Sequence, residues 1–359
     1  MKKSIYKSGT LLFITLIFVS VTLSAQEVTK KFHKEYTAGA NTTLDINNRY
    51  GDVVINSWDK NQVVIDVIVT VELPNKEKAE KLLGYIDVQF SEGENIISAK
   101  TVIDDKFSFS GWGGESKRFS IDYDVKMPAV TALTLSNKYG NTDIDELKGL
   151  VNLNIKYGNL TTGKLTRGNV KPLNTLNIAY GKGTIDEAGW LDLTIRYVGN
   201  LNIVKSQALL LSSKYSKLSL DEISSLVGES KYDNIKIGNI NNLVLENGYT
   251  ETTIGTLSKE LNYSGSYGSF SIGRIPAGFE SIDLETHYMG VRLGFDESAN
   301  YKLNAKVSYG GLKYNEDNFK NQKRIVENNS SEIAGIVGKE ESPSATVKVI
   351  SSYGSVKLY

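Results

Sequence analysis

Short stretches of alternating apolar and polar residues, each ending in a tyrosine, recur through most of the chain. In a typical stretch, Leu193 and Ile195 lie two residues apart and Tyr197 follows two residues later. Spacing by two places side chains on one face of a β-strand, whereas a helix buries every third or fourth residue. The pattern therefore predicts a series of short strands and no long helix in this part of the chain.

The tyrosines mark a repeat with a nearly constant period. Most neighbouring members between residues 139 and 309 are 17 or 18 residues apart, with a few steps of 21 or 23. A short fixed period is typical of a solenoid, in which each coil stacks on the one before it. Twelve of the 20 tyrosines belong to the repeat: Tyr50, Tyr139, Tyr157, Tyr180, Tyr197, Tyr215, Tyr232, Tyr249, Tyr267, Tyr288, Tyr309 and Tyr353.

The apolar positions change parity after each tyrosine. Leu218, Leu220 and Ile223 follow Tyr215 at offsets of three, five and eight residues. An odd offset moves a side chain to the other face, so the chain must turn just after the tyrosine. The glycine that usually comes next tolerates such a corner. The tyrosines could form an aromatic ramp that binds sugar. Because each shares parity with the apolar residues before it, we instead expect its ring in the wall of the coil, with the hydroxyl at the rim.

These observations predict an all-β fold. Residues 131–359 are expected to form a parallel β-solenoid, or β-helix, with about 17–18 residues per coil. Residues 26–130 contain a long alternating stretch, Val63 to Leu73, and start signals for a short helix at Pro74 and Asn75. We expect a small β-rich N-terminal region with one short helix that caps the first coil. The polar residues 315–344 lack the repeat and are expected to form a flexible insertion.

The N-terminus has the pattern of a signal peptide. Lys2, Lys3 and Lys7 precede an apolar run, 11–23, and the small residue Ala25 follows it. Such a run is too short to cross a bilayer as a helix, and we expect cleavage after Ala25, so that residues 1–25 are the signal peptide. The sequence therefore predicts an exported protein, in the periplasm or on the outer cell surface, with no integral membrane span after cleavage.

Composition argues against several classes of function. The 41 basic and 41 acidic residues leave no net positive charge for binding nucleic acid. The chain has no cysteine and only two histidines, which excludes a disulfide framework and leaves little for a zinc site or a Ser-His-Asp triad. We therefore expect no enzymatic activity, no cofactor and no metal.

A basic residue precedes the repeat tyrosine in several coils. By parity these side chains face outward, and stacked coils would align them in one column. Such a column is a candidate track for an acidic polysaccharide. Alternatively, it is an ordinary solvated face, with its charge compensated by acids such as Asp143 and Glu187. The candidate contacts are Lys138, Lys156, Arg196, Lys214 and Lys231, with Arg49 and His287 at equivalent positions.

A second candidate contact is a loop rich in glycine, serine and aromatic residues. Phe107, Phe109 and Trp112 lie in it, between two predicted strands. Exposed aromatic side chains in such a loop are suited to holding a sugar ring or touching a membrane. The alternative is a hairpin tip that folds back over its own sheet.

Several short motifs resemble a known bacterial family. The sequence from Tyr50 to Val53, the pair Trp58-Asp59, the Met127-Pro128 step and the serial Tyr-Gly units are similar to the β-strand-repeat adhesins, a family related to autotransporter-adhesin head domains. The resemblance covers residues 44–359. The glycine that follows the tyrosine in this family is replaced in some units, for example by Ser216, Asp233, Thr250 and Met289. The resemblance implies an exported β-solenoid and supplies no catalytic residues.

Three functions are compatible with these features. The leading hypothesis is a non-enzymatic, monomeric envelope protein that serves as an adhesin or interaction scaffold for another envelope protein or a surface polysaccharide. The second is a carbohydrate- or polyanion-binding module. The third is a β-helix polysaccharide lyase, which needs several acids and a basic residue in one groove.

Overall fold

The computed structural model describes residues 26–107, 118–317 and 319–359. The fold is all-β, with 72% of residues in strands, one short helix and an open sheet that contains long parallel stretches. All 23 strands of the described residues belong to one hydrogen-bonded network. The all-β class and the short helix predicted from the sequence are thus confirmed, whereas the predicted signal peptide, residues 1–25, lies outside the described residues.

The N-terminal region contains antiparallel pairs. β1 pairs with β4 and β4 with β7, while β5 pairs with β6. The helix begins after Asn75, whose side-chain oxygen accepts a hydrogen bond from the Lys78 backbone N–H at 2.9 Å. Its elements are β1 (Gln26–Thr37), β2 (Thr43–Arg49), β3 (Val53–Trp58), β4 (Gln62–Leu73), α1 (Lys76–Leu83), β5 (Ile86–Glu92), β6 (Ile96–Ile103) and β7 (Arg118–Pro128).

The following strands pair in parallel with a register equal to the sequence period. Leu201 lies opposite Leu218, and Leu218 lies opposite Ile235, each one repeat further along the chain. These strands are β8 (Ala132–Lys138), β9 (Thr142–Leu147), β10 (Val151–Lys156), β11 (Leu160–Leu165), β12 (Asn174–Ala179), β13 (Lys182–Arg196), β14 (Asn200–Lys214), β15 (Lys217–Lys231), β16 (Asn234–Ile275), β17 (Ser281–Phe295), β18 (Tyr301–Ser308) and β19 (Leu312–Lys313).

The predicted apolar positions form the core. Leu218, Leu220 and Ile223 are at most 4% exposed, and the equivalent residues of the next repeat, Ile235 and Ile237, are equally buried. Because each repeat supplies the same interior positions, the core continues along the direction in which the repeats stack. Full burial of one such side chain stabilises the fold by about 1.5–3 kcal/mol.

The C-terminal strands lie between earlier strands rather than at the end of the sheet. β22 (Thr346–Ser352) pairs in parallel with β17 on one side and with β18 on the other. β23 (Val356–Leu358) lies in the same way between β17 and β19. The last repeat in the sequence is therefore not the last in space. The sequence period could not show this spatial order. The strands of different repeats have similar apolar patterns, so a given strand could pair with any of several others.

The polar segment 315–344 contains strands where we expected a loop. β20 (Phe319–Glu327) and β21 (Ser330–Val337) form an antiparallel hairpin, and β21 pairs antiparallel with β18. Ile333 is fully buried, but most of the other hairpin residues are at least partly exposed. A hairpin that covers a sheet edge buries few of its side chains. Its sequence therefore lacks the alternation of apolar and polar residues from which strands are predicted.

Candidate functional site

The twelve repeat tyrosines form one continuous row of stacked rings. Neighbouring ring centroids are 4.7–5.2 Å apart, with interplanar angles of 4–15°. Tyr353 stacks between Tyr288 and Tyr309, which follows from the placement of β22. We call this set, in the spatial order Tyr50 to Tyr288, Tyr353, Tyr309, the tyrosine row.

The rings of the tyrosine row lie on the outside of the sheet, which contradicts the expected position in its wall. Eleven of the twelve are 41–59% exposed. Each tyrosine adopts a left-handed backbone conformation, with φ between 52° and 65°. The parity rule holds only for extended residues, so a residue in this conformation directs its side chain away from the interior. The left-handed backbone conformation destabilises the fold by roughly 1–2 kcal/mol per residue. Stacking of each pair of rings offsets about 0.5–1.5 kcal/mol of this cost.

The glycine after the tyrosine has a different role from the one expected. The tyrosine itself makes the left-handed turn, and the glycine allows close approach of the preceding repeat. A Cβ on Gly158 would lie 1.8 Å from the Gly140 carbonyl oxygen. In the units without this glycine the side chain enters the interior, as shown by Val198, Asp233 and Met289, which are 1–7% exposed.

We expect Gly158→Ala to destabilise the protein by about 1–3 kcal/mol, because the methyl group must displace backbone of the neighbouring repeat. Urea unfolding followed by circular dichroism measures this change. Gly290→Ala is the matched control, since a Cβ there has no atom within 4 Å. Equal stability of the two variants would contradict the close packing at Gly158.

The basic residues that precede the tyrosines align at one strand position, in two groups of three. Lys138 lies opposite both Arg49 and Lys156, and Lys214 lies opposite both Arg196 and Lys231. Ala179 separates the two groups. Five of these six side chains are exposed, and that of Lys214 is partly exposed. We call Arg49, Lys138, Lys156, Arg196, Lys214 and Lys231 the basic column; it flanks the part of the tyrosine row that comes first in the sequence.

Three cations of the basic column, those of Arg49, Lys138 and Lys214, contact tyrosine rings. The Lys138 Nζ lies 4.7 Å from the centroid of the Tyr139 ring, and the Lys214 Nζ lies 5.1 Å from that of Tyr215. In the described parts of the chain, none of the six basic residues forms an ion pair. Cations at these distances from aromatic faces are attracted by the ring quadrupole, yet their charge stays available to an incoming anion.

Glu187, one of the acids expected to compensate the basic column, is paired with lysines elsewhere on the surface. Glu187 lies opposite Lys164 and Lys205 on adjacent strands, and Lys205 lies in turn opposite Glu222. Acid and base thus alternate within a separate column. The basic column therefore keeps a local positive charge although the whole chain is neutral.

A shallow groove of about 570 Å³ lies beside three members of the tyrosine row, on the side of the residues that follow them in the sequence. Tyr197, Tyr215 and Tyr232 form part of its lining, together with Lys217 and Asn234 from the residues that follow the tyrosines. At Tyr197, Tyr215 and Tyr232 the row thus has the basic column on one side and this groove on the other.

Phe107, the aromatic residue of the predicted loop that the structure describes, lies at the first end of the tyrosine row. The Phe107 ring packs against Phe119 at 5.0 Å, and Phe119 packs against Tyr50 at 5.1 Å. Phe107 is partly buried among its neighbours. Phe109 and Trp112 lie outside the described residues, so the loop stays a predicted ligand contact.

A second groove, of about 570 Å³, gathers charged residues near the N-terminus. The His33 Nδ1 lies 2.7 Å from the Asp66 carboxylate and its Nε2 lies 3.1 Å from that of Glu35. These hydrogen bonds raise the pKa of His33. The side chains of His33 and Asp66 are 57% and 50% exposed. The ionisable residues that line this groove are Lys31, His33, Asp52, Asp66, Asp122 and Asp124.

Other polar groups have structural roles. Burial raises the pKa of Tyr123 and of Tyr263 to about 12, and their hydroxyls hydrogen-bond to Thr101 and Asn247 inside the core. Among the residues that the structure places, no group of three or more His, Asp or Glu side chains is arranged to hold a metal ion. Over the same residues, no helix is long and apolar enough to cross a membrane.

The sequence interpretation favoured packing of the tyrosines over an aromatic surface, and the exposed row shows that this choice was wrong. A signal was present: interior positions exchange Leu, Ile and Val between repeats, whereas twelve repeats keep tyrosine at one position. Interior packing tolerates exchange among apolar residues of similar volume, so strict retention of one aromatic residue within a chain points to a different requirement.

No known protein family matches the sequence, and no curated protein matches it. Several solved structures are similar in part. A "putative cell adhesion protein" from Clostridium sporogenes is 10% identical, with 92% of this chain and 99% of that chain covered and a TM-score of 0.19. A "putative adhesin" from Parabacteroides distasonis is 10% identical over 74% of this chain and 94% of that chain, with a TM-score of 0.30. Another "putative adhesin", from Bacteroides fragilis, is 9% identical over 92% of this chain and 97% of that chain, with a TM-score of 0.29. These likenesses are too distant to carry a conclusion about function.

Proposed function

We propose that the chain is an exported, non-enzymatic and monomeric β-solenoid of the cell envelope that serves as an adhesin or interaction scaffold. Parallel pairing at the period of the repeat supports the solenoid. The signal-peptide pattern at residues 1–25 supports export. The observation that carries the proposal is the exposed tyrosine row, which gives the rod one long aromatic surface.

The tyrosine row has the properties of a contact surface. Tyrosine is enriched at protein interfaces because it combines a large apolar ring with a hydroxyl. The rings are already ordered by stacking, so a partner does not have to immobilise them when it binds. Ring faces are covered by neighbouring rings, and a partner therefore meets ring edges and hydroxyls. This geometry suits an elongated partner such as a surface polysaccharide or another envelope protein.

Surface display with fractionation tests this proposal. A tagged copy is expressed in a non-adherent bacterial host, and its accessibility to protease on intact cells is measured. We expect export, exposure on the envelope and increased attachment of the cells to polysaccharide-coated surfaces. Retention of the protein in the cytoplasm, or exposure without any gain in attachment, would contradict the proposal.

The basic column favours a second candidate function, a polyanion-binding module. Its six cations form two groups of three, aligned on adjacent strands, and have no ion-pair partner in the described residues. A row of like charges at the strand spacing attracts an extended polymer that carries repeated anionic groups. The two functions are compatible, because an acidic surface polysaccharide would contact both the basic column and the tyrosine row.

A further inference from the structure

The tyrosine row brings eleven pairs of phenol rings into direct, nearly parallel contact on an exposed surface. We propose that the row is a site of oxidative cross-linking, at which neighbouring repeats are joined through dityrosine bonds. The oxidant would be of the peroxide class, used by a haem peroxidase that removes one electron at a time. This inference does not depend on the ligand that the surface binds.

Formation of one dityrosine bond removes two electrons and two protons from a pair of tyrosines. Each of two neighbouring phenols gives up one electron and its hydroxyl proton and becomes a phenoxyl radical. The two radicals form a carbon–carbon bond between ring positions ortho to the oxygens. The hydrogen on each of these carbons then moves to its oxygen, which restores both phenols. One hydrogen peroxide accepts the two electrons and two protons and becomes two waters.

The geometry favours coupling within the row. Centroid separations of 4.7–5.2 Å hold neighbouring rings in contact, and rotation of these exposed side chains about χ1 and χ2 brings their ortho carbons together. Holding two reactants side by side converts a bimolecular step into an intramolecular one. The buried Tyr123 and Tyr263, at most 1% exposed, are not accessible to a peroxidase.

The consequence would be a covalent link between repeats in a chain without cysteine. Most links would close loops that are one repeat long, whereas a link from Tyr288 to Tyr353 would fix the C-terminal strand at its place beside β17. Because repeats contact mainly their neighbours, a series of such links would hold the whole stack together.

The first experiment treats dilute, purified protein with horseradish peroxidase and hydrogen peroxide. Dityrosine fluorescence and the loss of two hydrogens per link in intact-mass spectra report the reaction. We expect a monomer whose cross-linked peptides join only neighbours in the row. In particular, Tyr353 should link to Tyr288 and to Tyr309, without a link from Tyr288 to Tyr309. Links between residues that are not neighbours in the row, or links between chains alone, would overturn the proposal.

Two matched variants with the same number of tyrosines test whether dityrosine formation requires neighbouring tyrosines in the row. Each replaces six row members by phenylalanine, which keeps the ring but cannot form the phenoxyl radical. One variant alternates the substitutions and leaves no neighbouring pair: Tyr139, Tyr180, Tyr215, Tyr249, Tyr288 and Tyr309 become Phe. The other removes one contiguous half and leaves five pairs: Tyr232, Tyr249, Tyr267, Tyr288, Tyr353 and Tyr309 become Phe.

We expect the alternating variant to form dityrosine within the chain on the order of tenfold less than the contiguous variant, because proximity is lost. Circular dichroism checks that both variants are folded. Equal yields in two folded variants would overturn the proposal, and if either variant does not fold, the peptide map of the unmodified sequence decides.

Discussion

A chain truncated after Ser344 is expected to lose the ordered structure that follows β17, while the repeats before it stay folded. The truncation removes β22 and β23, which fill the place between β17 and β18 and beside β19. Val347, Val349, Val356 and Leu358, all at most 4% exposed, are lost from the core. At about 1.5–3 kcal/mol per side chain, the loss is roughly 6–12 kcal/mol.

The effect should be local because each repeat contacts mainly its neighbours. Limited proteolysis and hydrogen exchange are expected to show protection up to about Phe295 and rapid cleavage or exchange beyond it. Val347→Asp with Val349→Asp should reproduce this result. Thr346→Asp with Ile350→Asp is the matched control, since these two side chains of the same strand are exposed. Unchanged protection of residues 301–337 in the truncated chain would show that β18 and its hairpin do not depend on β22.

Replacement of four cations of the basic column by glutamine is expected to weaken binding of dextran sulfate by about a thousandfold. The substitutions are Lys138→Gln, Lys156→Gln, Arg196→Gln and Lys214→Gln. Each cation close to an anionic surface contributes about 1 kcal/mol to the binding free energy, so four contribute about 4 kcal/mol. Binding of dextran sulfate to immobilised protein gives the dissociation constants, and neutral dextran serves as the uncharged reference.

A second set of four substitutions controls for net charge. Lys164, Lys205, Lys236 and Lys302 are exposed lysines outside the basic column, and their replacement by glutamine changes the total charge equally. This variant should keep most of its affinity, because Lys164 and Lys205 lie among acidic residues. Affinity in the unmodified protein should fall as salt is added. A similar loss in both variants would mean that the anion senses overall charge and not the column.

The repeat could be predicted from the sequence because parallel strands pair in a register equal to the repeat period. The interior positions Leu218, Leu220 and Ile223 and the exposed column that contains Lys138 both follow from counting residues. Each repeat shows the pattern of buried and exposed positions independently, so a wrong assignment in one repeat does not affect the assignment in the next.

The remaining features depend on quantities that residue counting does not contain. The outward position of Tyr197 depends on one backbone angle, with φ at 54°. The place of Tyr353 depends on which of several similar strands its own strand joins. The pairing of Glu187 with Lys205 is different, because their spacing of one repeat could have revealed it by counting.

The central claim is that the tyrosine row is the surface through which the protein binds, and a paired set of variants tests it most directly. In the first, Tyr197, Tyr215 and Tyr232 become Asn, which tolerates the left-handed conformation. In the second, Leu210, Val227 and Val244 of neighbouring strands become Thr. These three are 40–46% exposed, similar to the 41–49% of the tyrosines, and they also lie opposite one another.

Attachment of cells that display each variant to polysaccharide-coated surfaces is the measurement. If the tyrosine row is the contact surface, the tyrosine variant loses most of the attachment conferred by the unmodified protein, and the aliphatic variant keeps it. Full attachment by a folded tyrosine variant, or an equal loss in both variants, would contradict the account.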